Sequence, residues 1–127
     1  MNHTPKPDPV LIMMKLMTQV YQQFLFNVKA AGHQERIIPV WQLTRWGALC
    51  LTGWEVMADV IYLDAGHDEH EAYSDMCNYW PLLKKGGVMF GDDYCQVYGV
   101  KRGADRFSKE IGRTLHVEGC QWFLDPK

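Results

Sequence analysis

Apolar and polar positions alternate along this chain with two different periods, and each change of period marks a new element. Met17, Val20, Tyr21, Phe24, Val28 and Ala31 follow the i, i+3, i+4, i+7 spacing that turns one face of a helix toward a core. Gly32 stands where a left-handed C-terminal cap is wanted. At the other end, Asp8 can accept from the free N–H groups of a first turn, and Pro9 suits the first helical position. The apolar run at 10–13 also fits a strand, so a start at Pro9 and a start near Lys15 are both open. Residues 1–7 are polar and Pro-rich and are expected to be disordered, which leaves 8–127 as a single domain.

Arg36–Trp41 reads as a short strand, placed at a sheet edge because Pro39 cannot donate to a ladder. Thr44–Leu51 reads as a weak helix. Ala58–Asp64 is almost continuously apolar, as suits a strand buried on both faces. Asp68 with Glu71 forms a capping box that starts a helix running to about Trp80. Pro81 and the Lys84-Lys85-Gly86-Gly87 run end it, and Val88–Gly91 follows as a second buried strand. Val100, Ala104, Phe107 and Ile111 mark one face of another helix, ended by Gly112. Thr114–Glu118 and Gln121–Leu124 read as a hairpin turning at Gly119-Cys120. This alternation predicts an α/β fold: a Rossmann-like, mostly parallel sheet flanked by helices, with a C-terminal antiparallel hairpin.

Composition narrows the function classes. A net charge of -2 lacks the basic excess of a nucleic-acid footprint. No stretch of 18 apolar residues exists, so no membrane span is expected. The four cysteines show no C-x-x-C spacing and read as reduced thiols of a cytoplasmic protein. The tryptophans and methionines read as core. Lys101, Arg102, Asp105 and Arg106 read as the solvated face of their helix, and His70 as a solvated first-turn residue.

The chemistry gathers at two strand ends. Ala58–Asp64 runs into Asp64-Ala65-Gly66-His67-Asp68, and Val88–Gly91 runs into Asp92-Asp93-Tyr94. In a parallel pair both clusters emerge at the same edge, where open α/β sheets bind ligands. Asp64, Asp92 and Asp93 converging there would need a cation such as Mg²⁺, Mn²⁺ or Ca²⁺, or a shared proton. His67, one short turn past Asp64, is placed to act as a general base. Asp68 is expected to be a cap alone.

At these residues the chain resembles the class I S-adenosylmethionine-dependent methyltransferases. The likeness is to the metal-dependent O-methyltransferases with a D-x-x-H turn after strand four and a G-G-V-x-x-G-D-D-Y strand five. Asp64-Ala65-Gly66-His67 and Gly86–Tyr94 carry those two motifs. Residues 21–41, 99–107 and 116–124 resemble the helix and third strand, the helix after strand five and the closing strands. The resemblance covers roughly 18–124 and implies metal ligands at Asp64, Asp92 and Asp93 and a base at His67. It also implies cofactor contacts at Asp64 and Ala65. The reaction it implies is transfer of a methyl group from S-adenosylmethionine to a hydroxyl of a small molecule, with a divalent cation such as Mg²⁺.

The family's glycine-rich cofactor loop has no counterpart here, since no G-x-G occurs. The resemblance therefore corresponds to the C-terminal portion of the fold, with the central strands absent. An incomplete fold of this kind could be inactive alone. Its alternative is a non-catalytic binding and self-association module that keeps the acidic divalent-metal site. A hydrolase- or hydroxylase-like relative using the same acids is a third reading. The expected partner is a small-molecule substrate, with no nucleic acid, no membrane and a possible homo-oligomer.

Overall fold

Two close glycine contacts, one at a strand end and one at a helix start, fix how the carboxyl edge of the sheet is built. The computed structural model describes residues 9–95 and 98–127. The chain divides into two units, Met1–Val40 and Trp41–Lys127.

In the first unit, α1 spans Pro9–Ala30, which settles the helical reading of residues 10–13. The polar tail 1–7 and the Asp8 cap lie outside the described residues. Gly32 adopts φ +71°, and the His33 N–H reaches the Val28 carbonyl at 3.0 Å, a left-handed cap as expected. The apolar face expected to be buried is instead open at Met17, Val20 and Phe24. The described part of this unit holds no second element that could cover it. Residues 36–41 form no strand. The Arg36 and Ile37 N–H groups are taken by the His33 carbonyl in a turn, and Pro39 has none to offer.

The second unit holds α2 (Thr44–Gly53), β1 (Ala58–Leu63), α3 (Glu69–Tyr79), β2 (Leu83–Gly91), α4 (Tyr98–Ile111), β3 (Leu115–Glu118) and β4 (Gln121–Leu124). The sheet runs β1-β2-β4-β3, parallel at β1–β2 and antiparallel where the hairpin joins. Helices and a mixed sheet with an antiparallel closing pair give the α/β class expected. Asp68 caps α3 by accepting from the Glu71 N–H at 2.8 Å. Val100, Ala104 and Phe107 are buried along α4, and Gly112 ends it at φ +65°.

One sheet face is the core. Ile61, Met89, Trp122 and Leu124 pack there against Ala72 and Met76 of α3 and Val100, Ala104 and Phe107 of α4. Each large side chain fully buried in this way contributes about 1.5–3 kcal/mol. The other face stays open, and this corrects the reading of β1 as buried on both sides: Val60 is 59% and Tyr62 46% exposed. Tyr62 and Phe90 share that open face, with ring centroids 4.9 Å apart. An apolar run cannot by itself distinguish a two-sided strand from one whose second face has no layer over it.

The Lys84–Gly87 run, expected only to end the helix, is itself strand. It lies inside β2, where the register steps from Ala58↔Leu83 to Val60↔Val88 around a bulge. Gly86 takes φ +82°, its N–H bonds the Lys127 carbonyl at 2.8 Å, and the Lys127 N–H returns to Gly87. The Lys127 ammonium then donates to the carbonyls of Trp80, Pro81 and Leu83, closing the turn that leaves α3.

Candidate functional site

The parallel pairing Leu63↔Gly91 puts both acidic turns at one edge of the sheet. At that point Gly91 approaches its neighbours closely. A Cβ there would lie 2.5 Å from the Leu63 carbonyl oxygen and 2.6 Å from Trp122 Cζ2. The first turn of α4 presses equally hard on the β1 turn: a Cβ on Gly99 would lie 2.4 Å from the His67 carbonyl oxygen. These two glycines let the β2 end and α4 clamp the Asp64–Asp68 segment between them.

Within this frame Asp64, His67 and Asp93 each offer a ligand atom within 4.8 Å of the others. His67 Nε2 lies 3.0 Å from Asp93 Oδ2. Asp93 holds φ +65°, a left-handed conformation uncommon for any residue but glycine. The adjacent carboxylate steadies it, because Asp92 Oδ1 accepts from the Asp93 N–H at 2.8 Å. Next along, the Tyr94 N–H bonds the Cys120 carbonyl at 2.9 Å, tying the turn to the hairpin. Of the three carboxylates expected to converge, Asp64 and Asp93 therefore meet with His67. Asp64, His67, Asp92 and Asp93 all line one small cavity, with Asp92 Oδ1 turned to the backbone. Ala65 lines that cavity too. His70 and Asp68 lie outside the three-residue group, Asp68 as the α3 cap.

The field of the cluster reaches Tyr62. Its hydroxyl lies 3.4 Å from Asp64 Oδ2, and its pKa is pushed up first by desolvation and then by the Asp64 and Asp92 charges.

Three further features were not read from the sequence. Asp75 of α3 is 7% exposed and lines the cavity. Burial pushes its carboxyl up, while a side-chain hydrogen bond with Thr44 pulls the other way. Its signal was a carboxylate on the stripe 72, 75, 76, 79, three residues after buried Ala72. Trp122 also lines the cavity, deep in the core. Lys101 and Asp105 are not merely solvated. The Tyr94 hydroxyl donates to Asp105 Oδ1 at 2.7 Å, and the Lys101 ammonium donates to Asp105 Oδ2 at 2.8 Å. Asp105, then Tyr94, hold the Lys101 pKa well above its usual value. The two charged residues thus brace the tyrosine that follows the acidic pair. Their i, i+4 spacing was visible, but the partner on another element was not.

Between α2, α3 and the β1 turn lies an open cleft of about 520 Å³, bordered by Thr44, Arg45, His70, Glu71, Ser74 and Asp75, among others. Among the described residues no helix is long and apolar enough to cross a membrane.

Comparison with known proteins bears on this edge directly. A family profile described as a methyltransferase domain matches residues 3–94, and the chain belongs to that family. The match takes in both acidic turns and stops before α4 and the hairpin. No curated protein matches. A solved structure titled "Structure of the O-methyltransferase NovP" is similar, at 18% identity and a TM-score of 0.49. The match covers 56% of this chain and spans 30% of the length of that one.

Proposed function

We propose that this chain carries the acceptor and divalent-cation half of a methyl-transfer site, acting with S-adenosylmethionine on a hydroxyl of a small molecule. The observation that carries the reading is the meeting of Asp64, His67 and Asp93 at the carboxyl edge of a parallel pair, in a chain of the methyltransferase-domain family. The two carboxylates of this group, whose ligand atoms all lie within 4.8 Å, fit Mg²⁺ or Mn²⁺, which favour hard oxygen donors, and the imidazole beside them is left for proton transfer. When bound, the cation would lower the pKa of an acceptor hydroxyl and the sulfonium cofactor would supply the methyl group.

The chain's own residues divide the remaining work. Asp64 and Asp93 hold the cation, with Ala65 and Asp64 facing the cofactor side. Asp92 fixes the turn that presents Asp93. Donation from His67 Nε2–H to Asp93 fixes the tautomer and leaves Nδ1 to take the acceptor proton. Isothermal titration of Mn²⁺ into the chain and into its Asp64→Ala and Asp93→Ala forms tests the cation site. Weaker binding in each is expected, and unchanged binding in both removes the site.

A second reading is favoured by the outer edge of β1, which pairs with no strand among the described residues. On that reading the chain is a self-associating module that keeps the acidic site without catalysis. A dimer in light scattering, together with no cofactor binding, would favour it.

A further inference from the structure

The turn that carries the acidic pair ends in a cysteine, and a second cysteine lies across from it. Cys95 follows Asp92-Asp93-Tyr94 and is exposed. Cys120 sits in the turn between β3 and β4 and is half-buried. Two contacts bring the segments together. The Tyr94 N–H bonds the Cys120 carbonyl at 2.9 Å. One residue on, the Cys95 thiol donates to the Gly119 carbonyl at 2.6 Å. Residue 94 thus meets 120 and residue 95 meets 119, so the two segments lie side by side.

Peptide geometry turns the second contact into a limit on reach. In a planar trans peptide the carbonyl oxygen lies about 2.8 Å from the next Cα. Cys95 Sγ is therefore no more than roughly 5.5 Å from the Cys120 Cα. A disulfide joins cysteines whose Cα atoms are about 4.4–6.8 Å apart, so the sulfur already lies within the span such a bond covers. Desolvation, and then the charge and hydrogen bonding of the Cys120 thiol, push the Cys95 pKa up, so the two thiols already interact.

We propose that Cys95 and Cys120 form a reversible disulfide that latches the end of the acidic turn to the β3–β4 hairpin. The oxidant is a low-molecular-weight disulfide such as oxidised glutathione. One protein thiol gives up its proton and attacks a glutathione sulfur, which forms a mixed disulfide and releases one glutathione thiolate. The second protein thiol, deprotonated in turn, attacks the cysteine sulfur of that mixed disulfide, and the second glutathione leaves. Two protein thiols are oxidised, one glutathione disulfide is reduced, and the two protons pass to the departing thiolates. The new bond replaces the Cys95–Gly119 hydrogen bond with a covalent link one residue beyond Tyr94. It keeps the Tyr94–Cys120 contact closed and restricts the turn that presents Asp93. That consequence rests on the proposed cation site, whereas the disulfide itself does not.

The full chain is incubated with oxidised glutathione in mildly alkaline buffer, alkylated and digested with trypsin. Cys95 and Cys120 fall in separate tryptic peptides, 86–101 and 114–127. The expected product joins these two, with Cys50 and Cys77 alkylated. The oxidised chain should melt at least about 5 °C higher, because the link restricts the unfolded chain, and dithiothreitol should reverse both changes. Cys95→Ser and Cys120→Ser should each lose the rise, and if either fails to fold, the peptide map of the unmodified chain decides. Four alkylated thiols, glutathione retained on Cys95, a link to Cys50 or Cys77, or a link between two chains would each overturn the proposal. Titrating Mn²⁺ into the reduced and oxidised chains separates the two readings. Severalfold tighter binding in the oxidised chain is expected. A Cys95–Cys120 link with unchanged affinity would overturn the effect on Asp93, and no Mn²⁺ binding in either form would overturn the cation site while the peptide map still decides the disulfide.

Discussion

The two faces of the β1-β2-β4 sheet are built from equally apolar residues but serve different ends. On one face Met89, Trp122 and Leu124 are almost wholly buried beneath α3 and α4. On the other, Val60, Tyr62 and Phe123 remain exposed to solvent. The difference lies not in side-chain chemistry but in whether another layer is present. It also explains where the candidate site can be rigid. The covered face supplies the helices that clamp the Asp64–Asp68 turn, and Gly99 lets α4 press on that turn closely.

The comparison breaks most readily at its largest expected effect. Met89→Ala on the covered face should cost about 2–5 kcal/mol in urea unfolding, since it removes a buried side chain and leaves a cavity. Val60→Ala on the open face should fall within about 0.5 kcal/mol. Equal losses would mean that something covers the open face in solution.

The next effect sharpens the role of the edge where the clamped turn lies. Asp64→Ala and Asp93→Ala should weaken Mn²⁺ binding by at least the ~10–100-fold typical of losing a supporting group around a metal. Asp92→Ala should weaken it less, because the Asp92 Oδ1 serves the Asp93 backbone. A larger loss at Asp92 than at Asp93 would reverse the assignment.

Asp68→Ala tests the cover itself. Losing the bond to the Glu71 N–H should cost α3 about 1 kcal/mol, read as a lower thermal midpoint. The smallest effect lies beside the open face, where the His116 ring stacks on Phe123 and lies 2.7 Å from Asp125. The His116 and Thr114 side chains hold the Asp125 carboxyl below its usual pKa. Its contribution is therefore present above the unfolded pKa and is lost as pH falls through the lower folded value. Asp125→Asn should flatten that part of the acid limb in pH-dependent unfolding, and an unchanged limb would contradict the pairing.

Much of this was legible in local chemistry. Asp68 and Glu71, the glycine after α1, the α4 stripe and the Gly119 turn all act within a few residues of themselves, so pattern alone located them. The shared edge of the two acidic turns also followed, because parallel pairing of two strands decides it. What escaped the sequence depended on distant partners. The strand expected at 36–41 lost its donors to a local turn and to Pro39. Lys84–Gly87 read only as a helix stop because the Lys127 backbone that pairs with it is far along the chain. Asp75 was hidden as an ordinary helix carboxylate, and Lys101 and Asp105 as solvated charges, because their burial or partners come from other elements. His67 rather than Asp92 joins the close cluster, and Asp92 Oδ1 instead accepts from the Asp93 N–H.

The most direct test of the proposed function is calorimetric titration of S-adenosylmethionine into the chain, with and without Mg²⁺. Because only the acceptor and cation half lies in this chain, the account predicts weak binding: a small heat and a raised thermal midpoint at millimolar cofactor, both growing when Mg²⁺ is present. No heat and no thermal shift at millimolar cofactor, under either condition, would contradict it.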